Sequence, residues 1–134
     1  MSPEQHEALA EFRYAIARFL AFSTGAAREL GLEPRQHQAL LVVKGWRQSP
    51  PPTISLLAER LQMRHNSAVG LVDRLSRRGL LRREADQKDH RCVRLRLTAA
   101  GNQIIARLSR AHLAELQSVG PALRRRLSAV MSTR

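Results

Sequence analysis

The chain has 134 residues, the length of a single domain, and 43% of them are hydrophobic, enough for one packed core. Lysine and arginine total 23 against 11 acidic residues, and the resulting net charge of +12 indicates a polyanionic partner, usually nucleic acid. The N-terminus lacks a signal-peptide pattern, no apolar run approaches the ~20 residues that span a bilayer, and the single cysteine leaves no internal disulfide. We therefore expect a soluble, cytoplasmic protein without a membrane partner.

The first half of the chain predicts two helices. Residues 2–5 (Ser-Pro-Glu-Gln) combine an N-cap, a proline at the first helical position and a capping-box glutamine. Apolar residues then recur every three or four positions, so we expect an amphipathic helix that continues to about Leu30 and ends at Gly31. A second helix starts near Pro34 and ends around 45–46, before a proline-rich segment that predicts an extended connection.

Two short helices and a hairpin follow. Thr53 is the predicted N-cap of a third helix, and a break at 62–64 precedes a fourth helix at about 65–78 that ends before Gly79. Alternating apolar and polar residues predict strands at 80–84 and 93–97 around a polar loop. The residues expected to turn inward in the two short helices are Ile54, Leu57, Ala58, Leu61, Ala68, Leu71, Val72 and Leu75.

The remaining residues predict two terminal helices, one capped by Thr98 and a last one opened by Pro121. The element order is then α–α–α–α–β–β–α–α, without an internal repeat. We therefore expect a single domain of mainly α class with a small β-hairpin, in which a central lobe (33–98) is flanked by long terminal helices at 1–32 and 99–134.

A short helix pair followed by a hairpin is typical of a winged helix-turn-helix, whose second helix buries one face and turns the other into the major groove of DNA. Small polar side chains at its tip can reach base edges, Gly70 would let the backbone approach DNA closely, and arginines further along can reach phosphates. An alternative is that Gly70 merely packs against the wing. The predicted DNA-binding residues of this helix are Arg64, His65, Asn66, Ser67, Gly70, Arg74 and Arg77.

The hairpin loop forms the predicted wing, at about 80–97, and contributes Lys88, His90 and Arg91. An arginine at a hairpin tip can enter a narrow minor groove, where the negative potential is enhanced. We expect Asp89 to brace the Arg91 guanidinium and Asp73 of the recognition helix to do so in the free protein. The alternative is that Arg91 only pairs with Asp73 and holds the wing in place.

Five sequence segments, in this order and spacing, resemble the MarR family of bacterial transcriptional regulators. They are Leu57-Ala58-Glu59-Arg60-Leu61, Val72-Asp73-Arg74-Leu75, Arg78-Gly79-Leu80, Asp86-x-x-Asp89-x-Arg91 and Leu97-Thr98-x-x-Gly101. The chain departs from the family pattern at His90, where a second arginine is common, at 69–70, where Thr, Ser or Arg are frequent, and at Leu56, where Glu is usual.

The resemblance implies a homodimer built from the terminal helices, with each recognition helix in a major groove and each wing on a minor groove of a pseudo-palindromic operator. It also implies repression, less often activation, of a nearby promoter, relieved by a small aromatic or phenolic effector or by oxidation. A winged-helix scaffold that binds a protein or RNA partner is the alternative from a different functional class.

Other residues bear on chemistry and on assembly. The five histidines and Cys92 lack zinc-ligand spacing and no nucleophile–base pair stands out, so we expect no metal, no cofactor and no catalytic residue. Cys92 is interpreted as an inert small residue, with a redox-active cysteine as the alternative. An effector pocket would lie where the first two helices meet the winged lobe, lined by Tyr14, His37 and Trp46, although core packing explains these residues equally well. Around the dimer interface we expect charge pairs between Glu4, Glu7 and Glu11 and residues 124–126.

Overall fold

Seven elements follow one another along residues 1–132, the part of the chain that the structure, a computed structural model, describes. The predicted class, mainly α with a small antiparallel hairpin, is confirmed. The last two residues of the predicted C-terminal segment, 133–134, lie outside the described residues. The elements are α1 (Pro3–Glu29), α2 (Pro34–Gly45), α3 (Ile54–Leu61), α4 (His65–Arg77), β1 (Leu81–Ala85), β2 (Val93–Leu97) and α5 (Ala99–Ser132).

Side-chain caps explain where the helices begin. Ser2 Oγ accepts from the backbone N–H of Gln5 at 3.1 Å, and Gln5 Oε1 accepts from the backbone N–H of Ser2 at 2.7 Å, so the predicted capping box is present. Thr53 Oγ1 caps α3 and Thr98 Oγ1 caps α5 by accepting a first-turn N–H at 3.1 and 3.0 Å. The predicted starts of these three helices are therefore confirmed.

The core lies in the central lobe, between α2, α3, α4 and the hairpin. All eight inward residues predicted for α3 and α4 are buried, and they pack in one cluster with residues of α2, β1, β2 and α5 such as Leu40, Leu81, Leu95 and Ile105. The proline segment forms no helix and lies along β2, because the Leu95 N–H donates to the Pro52 carbonyl at 2.9 Å. In α1, by contrast, Ala27 is the one buried residue of the described helix.

The prediction of two terminal helices was wrong, because α5 runs without interruption through Pro121. Proline has a helical φ. Its ring crowds the carbonyl four residues earlier, here that of Gln117, and the Cβ of the preceding residue, which Gly120 lacks. The carbonyl of Gln117 loses its helical donor at position 121, but this stretch of α5 is exposed and water can take the donor's place.

The two long helices run antiparallel beside each other. Glu11 near the start of α1 pairs with Arg126 near the end of α5 at 3.5 Å, and Ser23 near the end of α1 contacts His112. The predicted pairing of the N-terminal acidic face with residues 124–126 therefore includes a pair made within one chain. Both side chains are about half exposed, so this pair adds little to stability.

A histidine pair lies where α1, α2 and α5 meet. His112 Nδ1 donates to the Leu108 carbonyl at 2.6 Å, which leaves Nε2 to accept from the Ser23 hydroxyl at 2.7 Å when the ring is neutral. Phe19 and Phe22 of α1 pack edge-on against this ring. The ring of His37, buried in α2, lies 4.7 Å from that of His112, and burial together with the His112 charge lowers the pKa of His37.

Acid should therefore destabilise the fold through His37. Because its pKa is lowered in the folded state, the unfolded chain binds more protons as the pH falls below about 6.5, and folding loses up to about 1.4 kcal/mol per pH unit. Urea denaturation between pH 7.5 and 5.5 should show this slope in the wild type and a shallower slope in His37→Leu. His6→Leu, which removes an exposed histidine of α1 outside this pair, is the control. An unchanged slope in His37→Leu would contradict the assignment.

Candidate nucleic-acid interface

The outward face of α4 carries the residues predicted to touch DNA. His65, Asn66 and Ser67 are exposed in its first turn, and Arg74 and Arg77 are exposed further along. These side chains occupy this face because the opposite one is buried in the core through residues spaced three and four apart. Within the described part of the chain, the N-cap residue Arg64 makes no side-chain cap, so the first-turn N–H groups face solvent without a protein acceptor.

Gly70 lies in the middle of this face and is half-buried. A Cβ at this position would meet Arg74 Nη1 at 3.4 Å, and outside the helix backbone no other atom of the described residues lies within 4 Å. The alternative in which Gly70 packs against the wing is therefore wrong. Because Gly70 has no side chain, the backbone of α4 is accessible between the first turn of the helix and Arg74.

The wing is a two-stranded antiparallel hairpin in which Arg82 lies opposite Arg96 and Glu84 opposite Arg94. Asp86 organises its turn: the carboxylate accepts from the backbone N–H of Lys88 at 3.1 Å and of Asp89 at 2.9 Å. The same carboxylate accepts from Arg94 Nε at 2.9 Å, and Arg94 Nη1 donates to the Pro51 carbonyl at 2.9 Å. The turn is thereby tied to β2 and to the proline segment.

These hydrogen bonds also set the charge state of the wing. The bond from Arg94, then those from the backbone, lower the pKa of Asp86, and hydrogen bonds from Arg91 lower the pKa of Asp89. A lowered carboxyl pKa contributes stability that is present above the unfolded value, about 3.9, and is lost as the pH falls through the folded value. The wing turn therefore keeps its hydrogen bonds across the neutral range.

Arg91 projects from this turn with its side chain 92% exposed. Its Nε donates to Asp89 Oδ1 at 3.2 Å, and its backbone N–H donates to the same oxygen at 3.1 Å. Lys88 and His90 are exposed beside it, so the three predicted wing residues lie together at the tip. Cys92 is half-buried behind them, with its Sγ 3.7 Å from Asp89 Oδ2.

The predicted pairing of Asp73 with Arg91 was wrong. Asp73 Oδ1 accepts from Arg83 Nη1 at 2.6 Å, which ties α4 to β1 rather than to the wing tip. Arg83 lies on the same face of the hairpin as the buried Leu81 and Leu95, and that face turns toward α4. The alternation of residues along β1 therefore places Arg83 on the face toward α4, and it could have predicted Arg83 as the partner of Asp73. The Asp86–Arg94 pair was missed because it depends on how the turn folds.

The residues expected to line an effector pocket do not come together. His37 is buried against His112, and Trp46 donates from Nε1 to the Pro50 carbonyl at 3.2 Å, with Arg60 over its ring. Tyr14 lines a different space, a cleft of about 410 Å³ between α1 and α5. Its other walls include Phe19 and Phe22, with Arg18 stacked near the tyrosine ring.

The titratable side chains and the helices of residues 1–132 bear on two further classes of site. No group of three His, Cys, Asp or Glu side chains there could hold a metal ion. None of the helices in that range combines the length and the apolar character needed to cross a membrane.

A pair of short helices whose second helix exposes its outer face, a hairpin on its C-terminal side and two long flanking helices together make a winged helix-turn-helix fold. A sequence model described as MarR family matches residues 30–91, and the many similar solved structures include MarR-family regulators. The predicted resemblance to the MarR family is thus confirmed. The search of curated proteins found no significant match.

Three solved structures illustrate the likeness. MepR, a transcription regulator of the Staphylococcus aureus multidrug efflux pump MepA, is 17% identical with a TM-score of 0.78, covering 90% of this chain and 93% of that one. A mutant of MepR bound to an oligodeoxyribonucleotide is 19% identical, with a TM-score of 0.71 and the same coverage. A MarR family protein from Bacillus stearothermophilus is 24% identical with a TM-score of 0.75, covering 89% and 81%. At these identities the likeness shows the fold.

Proposed function

We propose that the protein is a sequence-specific, double-stranded-DNA-binding transcriptional regulator that acts as a homodimer and represses a nearby promoter. The observation that carries this proposal is the outward face of α4, where three polar side chains at the tip are followed by two arginines. Polar tips suit base edges and arginines suit phosphates. The exposed Arg91 on a rigid wing adds a contact for the adjacent minor groove.

The dimer is supported by apolar surface on the long helices. In a single chain these side chains face solvent, and contiguous exposed apolar surface marks an interface. A second copy is the natural partner because a two-fold axis presents two recognition helices to two half-sites one helical turn apart. The exposed apolar residues of α1 and α5 are Leu9, Tyr14, Ile16, Leu20, Leu113, Leu116, Leu127 and Met131.

A small aromatic or phenolic effector is part of the proposal. The cleft between α1 and α5 offers the rings of Tyr14, Phe19 and Phe22 and the guanidinium of Arg18, a lining that suits a flat ring with a polar substituent. Because this cleft lies between the helices proposed to hold the dimer, an occupant there would change how the two lobes are presented to DNA.

Selection from a pool of random duplexes tests the proposal. The protein should enrich a pseudo-palindromic sequence with two inverted half-sites about 10 base pairs apart, bound by two chains per duplex. Enrichment of no motif, with weak binding to every duplex, would favour instead the winged-helix scaffold for a protein or RNA partner.

Ser67 should affect sequence choice. Its hydroxyl is exposed in the first turn of α4, so Ser67→Ala should reduce discrimination between the selected operator and single-base variants by about 1 kcal/mol per half-site. Ser109→Ala, which removes an exposed hydroxyl from α5, is the matched control and should leave discrimination unchanged. Equal losses on operator and random DNA in Ser67→Ala would show that the helix docks differently.

A further inference from the structure

Arg78, at the C-terminal end of the recognition helix, reaches across to the turn that joins α1 to α2. Its Nη1 donates to the Gly31 carbonyl at 2.7 Å and to Gln36 Oε1 at 3.3 Å. Among residues 1–132, these are the side-chain hydrogen bonds that connect the end of α4 with the region following α1. Arg78 was not among the predicted DNA contacts.

The acceptors of Arg78 are held in place by the turn itself. Gly31 has a φ of +76°, a left-handed conformation that glycine adopts without strain. Gln36 is 8% exposed, and its Oε1 also accepts the backbone N–H of Glu33 at 2.9 Å. One guanidinium nitrogen, Nη1, therefore donates to two acceptors whose positions are fixed by the α1–α2 turn and the first turn of α2.

We propose that Arg78 is a positioning residue for operator binding: it fixes the recognition helix relative to α1 and so sets the distance between the two recognition helices of the dimer. This inference rests on the proposed function, in which α1 belongs to the dimer interface and α4 enters DNA. Two recognition helices must lie about 34–36 Å apart to reach successive major grooves on one side of the duplex.

The packing of the lobe explains why a link at this point matters. The shared core of α2, α3 and α4 holds the lobe together as a unit. Beside it, α1 has Ala27 as its one buried residue, so the lobe depends on the α1–α2 turn and on α5 for its orientation. Removing the Arg78 guanidinium leaves the lobe intact but releases one of its ties to that turn.

The test compares half-site spacing preferences. Wild type, Arg78→Ala and Arg78→Lys are titrated against the operator selected by the wild-type protein, against versions with one or two base pairs added or removed between the half-sites, and against a single half-site. The wild type should lose about tenfold or more in affinity for each spacing change. Arg78→Ala should bind the native spacing about tenfold more weakly, discriminate among spacings less than about threefold, and bind the single half-site normally.

Arg78→Lys should fall between the two, because an ammonium keeps the charge and a donor for the Gly31 carbonyl but lacks the fixed planar donor geometry of the guanidinium. Arg107→Ala removes the same charge from an exposed position on α5 and should keep the wild-type spacing profile. Equal losses at every spacing and on the single half-site, with a shallower salt dependence, would identify Arg78 as a phosphate contact and overturn the proposal.

A lower melting temperature in Arg78→Ala with an unchanged spacing profile would also overturn the proposal, by showing a purely structural role. These failures are distinct from failure of the proposed function. In that case the wild-type protein itself would select no operator.

Discussion

Replacing Gly101 with alanine should lower the free energy of unfolding by about 3 kcal/mol or more. Gly101 is buried in the first turn of α5, and a Cβ there would overlap the backbone carbonyl of Leu80, the residue that leads into the wing. That carbonyl also accepts the Thr98 N–H at 3.2 Å. Because the obstacle is backbone rather than the end of a flexible side chain, relieving the overlap requires α5 to move away from the hairpin.

Gly25 is the matched control, since it lies inside α1 and, among residues 1–132 and outside the helix's own backbone, no atom lies within 4 Å of a Cβ placed there. Gly25→Ala should raise stability by about 0.5–1 kcal/mol, because alanine is the better helix former. Urea denaturation of the two variants measures both effects. A Gly101→Ala protein as stable as the wild type would show that α5 does not approach Leu80 as closely as described.

Arg91→Ala should weaken operator binding by about tenfold or more, with the largest loss on operators flanked by AT-rich sequence. The side chain is 92% exposed and its partner is the neighbouring Asp89, so its removal should leave the melting temperature unchanged. Fluorescence anisotropy on AT-flanked and GC-flanked operators, with thermal denaturation of the same protein, measures both effects. An Arg91→Ala protein that binds the operator with wild-type affinity would show that Arg91 of the wing does not contact DNA.

Asp73→Ala tests whether Asp73 supports Arg91 in the wing. It breaks the Asp73–Arg83 pair, which is partly exposed, and should cost less than about 1 kcal/mol of stability. Asp73 pairs with Arg83, whereas Arg91 pairs with Asp89. The effects of the two substitutions on stability should therefore add in the double variant. Non-additive effects on stability in the double variant would show that Asp73 and Arg91 do pair.

Periodic burial made the central lobe predictable. Apolar residues at spacings of three and four identified the buried faces of α3 and α4, and the remaining positions of α4 became the candidate interface. Hydroxyl residues before the helices identified the starts of α3 and α5 because capping is a local interaction. The alternation of β2 likewise identified the hairpin.

Contacts between distant segments were harder to predict. Asp73 pairs with Arg83 and not with Arg91, because the face of β1 that carries Arg83 meets α4. The three residues expected to line a pocket lie in different places, because the packing of the helices and not their order in the chain sets their surroundings. The prediction at Pro121 failed for another reason. Proline is common at the first position of a helix, but here it lies inside a continuous helix, which the missing Cβ of Gly120 makes easier.

The most direct test of DNA recognition is an equilibrium titration of the protein with its selected operator and with a scrambled duplex of the same length and composition, over a range of salt concentrations. The operator should bind about a thousandfold or more tightly than the scrambled duplex. If the dimer neutralises about 8–10 phosphates, log K should fall against log salt with a slope of about −7 to −9. Equal affinity for the two duplexes, or a slope near zero, would contradict the proposal that this basic winged-helix chain is a sequence-specific DNA-binding regulator.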